Sequence, residues 1–140
     1  WRYFGCPNVR YKVYSAGEGG IEGFIVFHTA EENNISYGFI DDFLYINGRT
    51  EVLEGLLSNM IRDFIEHGVE NIISWIPYKH FLYPMLRKKG FTKRPFPHYL
   101  LVITKEDKDI PDELVKDEGN WFYMLGDSDY RLLPRKNERL

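Results

Sequence analysis

A single cysteine, Cys6, is all the thiol the chain carries. One thiol cannot close an internal disulfide or build a multi-cysteine zinc site, and its scarcity points to a reducing, cytoplasmic setting. Cys6 itself reads as inert, because nothing nearby in sequence marks an activated thiolate. The histidines His28, His67, His80 and His98 show no metal-ligand spacing. No metal is therefore expected, and each histidine is assigned a helix-terminal or surface role. No apolar run approaches the ~20 residues of a membrane span, and no signal-peptide pattern is present. Basic charge is not in surplus: the formal net charge is −3 and the pI about 5.8. That balance leaves no footprint for nucleic acid or an anionic lipid surface. Internal repeats and low-complexity segments are also missing.

Aromatic rings are plentiful. Ten Phe, ten Tyr and three Trp in 140 residues load a core efficiently, and Tyr and Trp also favour binding surfaces. The length suits one domain able to bury a core. The chain opens on Trp1 and is rich in structure at once, so it reads as the C-terminal piece of something longer.

The segment Ile35–Pro77 organises the rest: ISYGFIDDFLYI, then NGRTEVLEGLLSNMIRDFIEHG, then VENIISWIP. Val52, Leu53, Leu56, Leu57, Met60, Ile61, Phe64 and Ile65 recur with the rhythm of one helical stripe. Thr50 is the expected N-cap, Glu51 and Glu54 suit the positive end of the helix dipole, and Gly68 is the stop. A helix between two strands makes a βαβ unit with parallel pairing. Upstream, Val9–Tyr14 alternates as a strand, Gly17–Gly20 turns, Ile21–Thr29 is a more central strand, and Ala30–Asn34 turns into the strand Ile35–Ile46. These three form an antiparallel meander. Downstream, Asn71–Pro77 reads as a short strand buried on both faces. Tyr78–Phe91 is a helical segment in which Pro84 either kinks the helix or starts its regular part. Phe91–Thr104 holds a strand, and Lys105–Asn120 is a charged connection with one helical turn after Pro111. Trp121–Tyr130 ends the series as a strand running into a turn, with Trp75 and Trp121 both in buried strands. Pro134–Leu140 is a frayed tail.

This β-β-β-α-β-α-β-β order, with FIVFHT, DDFLYI, GLLSNMIRDFIEHG, NIISWIP and LRKKGF, resembles the C-terminal two thirds of the GNAT acyltransferase superfamily. The family's central strand, phosphate-binding turn, Leu-rich helix, splayed strand and helix ending in Gly-Phe correspond here to Asp42–Ile46, Asn47–Arg49, the helix with Leu56-Leu57, residues 71–77, and Gly90-Phe91. The family's opening strand and two helices have no counterpart. The resemblance implies an α/β (α+β) fold: a mainly antiparallel, twisted sheet with a central parallel splay, flanked by helices. It gives a GNAT-like domain over residues 1–133 and a flexible tail over 134–140.

The implied activity is acetyl transfer from acetyl-CoA, the small-molecule acyl donor, to an amine acceptor. Pantetheine would run along Leu44, Tyr45 and Ile46, and Gly48, Arg49 and Thr50 would hold the pyrophosphate at the helix start. The family turn, R-x-x-G-x-G/A, is not intact: NGRTEVLEGLL is about three residues shorter and puts Glu51 and Leu53 near the glycine positions. A carboxylate there repels a pyrophosphate, and the same residues also read as a plain tight turn followed by a helix-dipole partner. The family's general-acid tyrosine, four residues before Gly-Phe, is Leu86 here, leaving Tyr83 or Tyr78 as substitutes, or as core packing. Asp42 or Asp41 is the candidate base; alternation sends one to each face of the sheet, so one faces a cleft. Tyr83 and Asp42 are the catalytic candidates carried forward. Asp127-Ser128-Asp129 reads as a turn. The other class of function is a non-catalytic GNAT-like module serving an upstream partner domain or a homodimer.

Overall fold

The computed structural model describes residues 3–94 and 111–127. They fall into two compact units, residues 3–75 with 124–127, and residues 76–94 with 111–123.

In the first unit, β1 (Lys12–Ala16), β2 (Gly23–Glu32) and β3 (Ile35–Tyr45) form the antiparallel meander. The β2–β3 hairpin closes on Asn33 and Asn34 alone, both at positive φ (53° and 62°), the two-residue type I′ geometry that matches strand twist. Helix α1 (Thr50–Glu66) crosses over to β4 (Asn71–Ser74), which pairs parallel with β3 from Tyr37↔Asn71 to Ile40↔Ser74. The sheet order is β1-β2-β3-β4.

The crossover is fixed by ring packing. Phe64 of α1 stands edge-on to Phe27 at 5.2 Å, and its ring lies 2.8 Å from where a Cβ on Gly38 would sit. Only glycine at position 38 lets the ring touch the sheet. Leu53, Leu56, Leu57, Met60 and Phe64 are the buried residues of α1. Val52 is half-buried and Ile65 is 68% exposed, so the buried stripe is narrower than the apolar pattern. Ile65 lies about 100° around the helix from Phe64 and faces away from the sheet. The cap also differs: Arg49 holds the N-cap position without a side-chain cap bond, and Thr50 is the first helical residue. Gly68 (φ +71°) stops the helix as expected, with its N–H on Ile65 and the Val69 N–H on Phe64 O at 2.9 Å, a Schellman motif. Asp63 ties α1 to β1, accepting from Lys12 Nζ at 2.8 Å and the Tyr14 hydroxyl at 2.9 Å.

Three strand readings are corrected. The first strand begins at Lys12 rather than Val9. The fourth ends at Ser74 and is half-buried along most of its length, with Trp75 half-buried just after it, because it has a hydrogen-bonded neighbour only in β3 among the described residues. Residues 121–124 are irregular and Leu125–Asp127 is a 3-10 turn. The Asp127 carboxylate draws in the Met124 N–H at 2.8 Å, which curls the chain before it can extend. The expected strand within Phe91–Thr104 is irregular to Arg94 and otherwise lies outside the described residues, as do His98, Ser128–Tyr130 and the tail.

In the second unit, α2 (Leu82–Lys88) carries Pro84 in its first turn, where a missing N–H leaves no helical bond unmade, so the proline starts the helix rather than kinking it. Gly90 (φ +94°) and the Phe91 N–H on Leu86 O repeat the Schellman stop. After Pro111, α3 (Asp112–Lys116) is the expected short helix, and Trp121 Nε1 donates to Val115 O at 2.9 Å.

Leu56→Ala is expected to cost ~2–5 kcal/mol and Ile65→Ala less than about 0.5 kcal/mol in denaturant melts. Equal losses would show that the helix face is misassigned. Acid supplies a second test. Burial would raise the Asp63 pKa, but bonds from Lys12 and Tyr14 and the Lys12 charge outweigh it and leave it lowered. The stability this contributes is present above the unfolded carboxylate pKa of about 3.9 and is lost as pH falls through the lower folded value. Asp63→Asn should therefore flatten the stability curve below about pH 4.

Candidate functional site

Strand β3 does not keep one register. Val26 pairs with Asp42 but Phe27 pairs with Ile40, so Asp41 is an extra residue in the register, a β-bulge. The bulge breaks alternation, and both aspartates join one cluster on the sheet face away from α1. Asp41 Oδ2 lies 2.6 Å from His28 Nδ1, with both side chains almost wholly buried (2% and 1% exposed). His28 stacks on Phe39 at 4.8 Å and meets the edge of Tyr11 at 5.2 Å. Tyr11 in turn touches Tyr3, whose hydroxyl donates to Asp42 Oδ2 at 2.9 Å, and the Phe43 N–H donates to Asp42 Oδ1 at 2.8 Å. Gly126 closes the cluster, since a Cβ there would sit 2.7 Å from Asp41 O and 2.4 Å from the Tyr3 hydroxyl.

The assignment of one aspartate to each face therefore fails, and the bulge is the reason. The surface role for His28 fails as well: it sits in the middle of β2, buried. An available signal was its place in the apolar run FIVFHT, where a buried imidazole needs a partner and Asp41-Asp42 were the acids of the neighbouring strand. Nδ1 faces the carboxylate as the donor, and the other ring nitrogen, Nε2, is buried with no hydrogen-bond partner among the described residues. His67 does sit at a helix end, at the C-cap of α1. His80 is half-buried beside Phe81 and Phe122, and burial lowers its pKa.

The second cluster is the turn into α1. Leu44 (63% exposed), Ile46 (53% exposed), Gly48, Arg49 and Thr50 are open to solvent, and Tyr45 is half-buried. The Arg49 N–H bonds Ile46 O at 3.0 Å, and Gly48 takes φ +85°, as the third residue of a type II turn requires. The structure thus brings all six of these residues to one end of β3. It also shows what occupies that end. Glu51 bonds its own backbone N–H and the Arg49 guanidinium, which together hold its carboxyl below the usual range. Arg49 Nη1 and Nη2 reach Glu22 at 3.1 and 3.0 Å, and the bond to Glu51 with the Glu22 charge raises the guanidinium pKa. The protein supplies its own carboxylate to the helix start, and its cation is shared between two acids.

Tyr83 is the second residue of α2, half-buried, in the second unit. Among the described residues no group of three His, Cys, Asp or Glu is placed to hold a metal, and no helix is long and apolar enough to cross a membrane.

Solved structures share this fold over about two thirds of the chain. The protein TTHA1254 from Thermus thermophilus superposes with a TM-score of 0.54 at 18% identity, over 67% of this chain and 72% of that one. An aminoglycoside acetyltransferase, meta-AAC0020, from an uncultured soil metagenomic sample superposes at 0.53 with 14% identity, over 70% of this chain and 68% of that one. The fold is GNAT-like. It is mixed α+β, with a four-strand mixed sheet and flanking helices. No protein-family model and no curated protein sequence matches the chain. At these identities the likeness is one of fold.

Burial makes the His28–Asp41 pair expensive to break. His28→Leu strands a buried carboxylate without its imidazole and is expected to cost ~3–5 kcal/mol in urea melts, whereas Asp41→Asn, which can still accept from Nδ1, costs less. A loss under about 1 kcal/mol for His28→Leu would contradict the burial of this pair.

Proposed function

We propose that the chain is an acyl-CoA-dependent N-acyltransferase domain, or the C-terminal part of one, moving an acetyl group from acetyl-CoA to a small-molecule amine. The observation that carries the reading is the GNAT-like run from β3 through the Ile46–Arg49 turn into α1, beside a parallel β4. That arrangement offers backbone N–H groups and the positive end of a 17-residue helix to an anion. In this reading, Leu44–Ile46 flank pantetheine, and Gly48, Arg49 and Thr50 hold the pyrophosphate. Asp42 takes a proton from the acceptor ammonium. The amine nitrogen forms the new C–N bond as the thioester C–S bond breaks, and the further proton that the nitrogen sheds leaves with the thiolate as the free thiol. Glu51 must leave its own N–H, and Arg49 must exchange carboxylates for phosphates. Both steps reduce affinity.

The same two contacts favour a second reading, a GNAT-like module that no longer catalyses and serves a partner domain. In it the helix start is satisfied internally and needs no ligand.

Calorimetric titration with acetyl-CoA separates the two. The transferase reading expects weak binding by the wild-type chain, tighter binding by Glu51→Gly, and weaker binding by Arg49→Ala, with the Arg49 effect larger at low ionic strength. The module reading expects no heat of binding from any of the three.

A further inference from the structure

We infer that Tyr3 is the positioning residue of Asp42: its hydroxyl fixes the plane of that carboxylate, so that the base meets the acceptor's ammonium in one orientation. The inference rests on the transferase reading, in which Asp42 takes the acceptor's proton. Asp42 is half-buried and follows the bulged residue of β3. One of its bonds is local, the Phe43 N–H donating to Oδ1 at 2.8 Å. A single donor on one oxygen still lets a carboxylate turn about its Cβ–Cγ bond, a soft torsion. The second bond removes that freedom. The Tyr3 hydroxyl, thirty-nine residues away in sequence, donates to Oδ2 at 2.9 Å. A carboxylate has about four acceptor sites, so these two bonds orient it without saturating it.

Tyr3 is itself held at both ends. Its ring stands edge-on to Tyr11 at 5.2 Å, and Tyr11 rests in the same way on the buried His28. At the other end, a Cβ on Gly126 would collide with the hydroxyl oxygen, so a glycine makes the room that the phenol occupies. Packing does not require that oxygen. A phenylalanine ring would make the same contact with Tyr11, and the hydroxyl adds the bond to Asp42. Among the described residues, the titratable groups of the cluster are Asp41 with His28, and Tyr3 with Tyr11. Asp41 is thus engaged by its own imidazole, and the phenol of Tyr3 goes to the neighbouring acid. A base held by a side chain that packing has already locked loses little orientation when the acceptor arrives.

The test follows the carboxyl carbon of Asp42 against pH by nuclear magnetic resonance in the full, isotope-labelled chain, the signal being assigned by its loss in Asp42→Asn. The hydroxyl bonds the ionised carboxylate, so Tyr3→Phe should make Asp42 hold its proton roughly tenfold more tightly. Replacing Tyr3 by 3-fluorotyrosine, whose more acidic phenol is the stronger donor, should move the proton affinity the other way. That replacement keeps the test open if the phenylalanine variant unfolds. Transfer is read as coenzyme thiol released from acetyl-CoA with a panel of primary amines. In Tyr3→Phe the acid limb of kcat/KM should move to higher pH by the same factor. On the plateau kcat should fall about tenfold, with the KM for acetyl-CoA unchanged. A proton affinity that ignores both replacements overturns the inference whatever the activity. So does an affinity that moves while the acid limb and the plateau kcat stay where they were, since the bond would then be structural only. If the affinity moves but the wild-type chain transfers acetyl to no amine, the transferase reading falls first and takes the positioning role with it.

Discussion

One extra residue in β3 sets the geometry of everything after it. Without the bulge at Asp41, the side chains of β3 beyond Ile40 would change faces, and Phe43 would leave the core for the side now held by Asp42. A bulge leaves a backbone unit out of the ladder and persists only when something else holds it. Here the holder is His28, whose imidazole bonds the bulged residue inside the apolar core between Phe39 and Tyr11. Burying two polar groups is costly unless they find each other, so the pair selects one register out of the alternatives. From that register follow the direction of Leu44–Ile46, the place of the turn and the start of α1.

The other constraint is the crossover. Phe64 fits onto the sheet only because Gly38 has no side chain, and Gly68 ends α1 in time for β4 to run parallel to β3. These two contacts turn a hairpin meander into the GNAT-like arrangement. The parallel pairing of β3 and β4 is therefore a packing result of α1 as much as a pairing result of the strands.

Periodicity made the meander, α1, both helix stops and the parallel crossover legible, because each rests on local patterning or on glycine's freedom at positive φ. What it did not reveal depends on contacts distant in sequence. Ile65 continues the apolar rhythm of α1, yet only the position of the sheet decides that it faces out. The strand expected at Trp121 fails because Asp127 captures the Met124 N–H, a side-chain bond that residue preferences do not register. Alternation put Asp41 and Asp42 on opposite faces, since a bulge breaks the period on which such reasoning depends. His28 was misjudged because its partner lies thirteen residues away across a hairpin. At the helix start the sequence did show Glu51 as out of place for an anion site. It did not show that Glu51 bonds its own N–H, or that Arg49 also reaches back to Glu22.

That self-occupied helix start is where fold and function meet. A GNAT-like strand–turn–helix presents donors to an anion, and this chain supplies the anion itself. The transferase reading requires the coenzyme's phosphates to displace Glu51 at that point. Backbone amide chemical shifts followed during titration of the wild-type chain with acetyl-CoA measure this residue by residue. The largest shifts are expected on Asn47–Val52, led by the Glu51 N–H as its own carboxylate departs. Shifts centred elsewhere in the chain, or no shifts at all at millimolar acetyl-CoA concentrations (roughly the weak-binding limit), would contradict it.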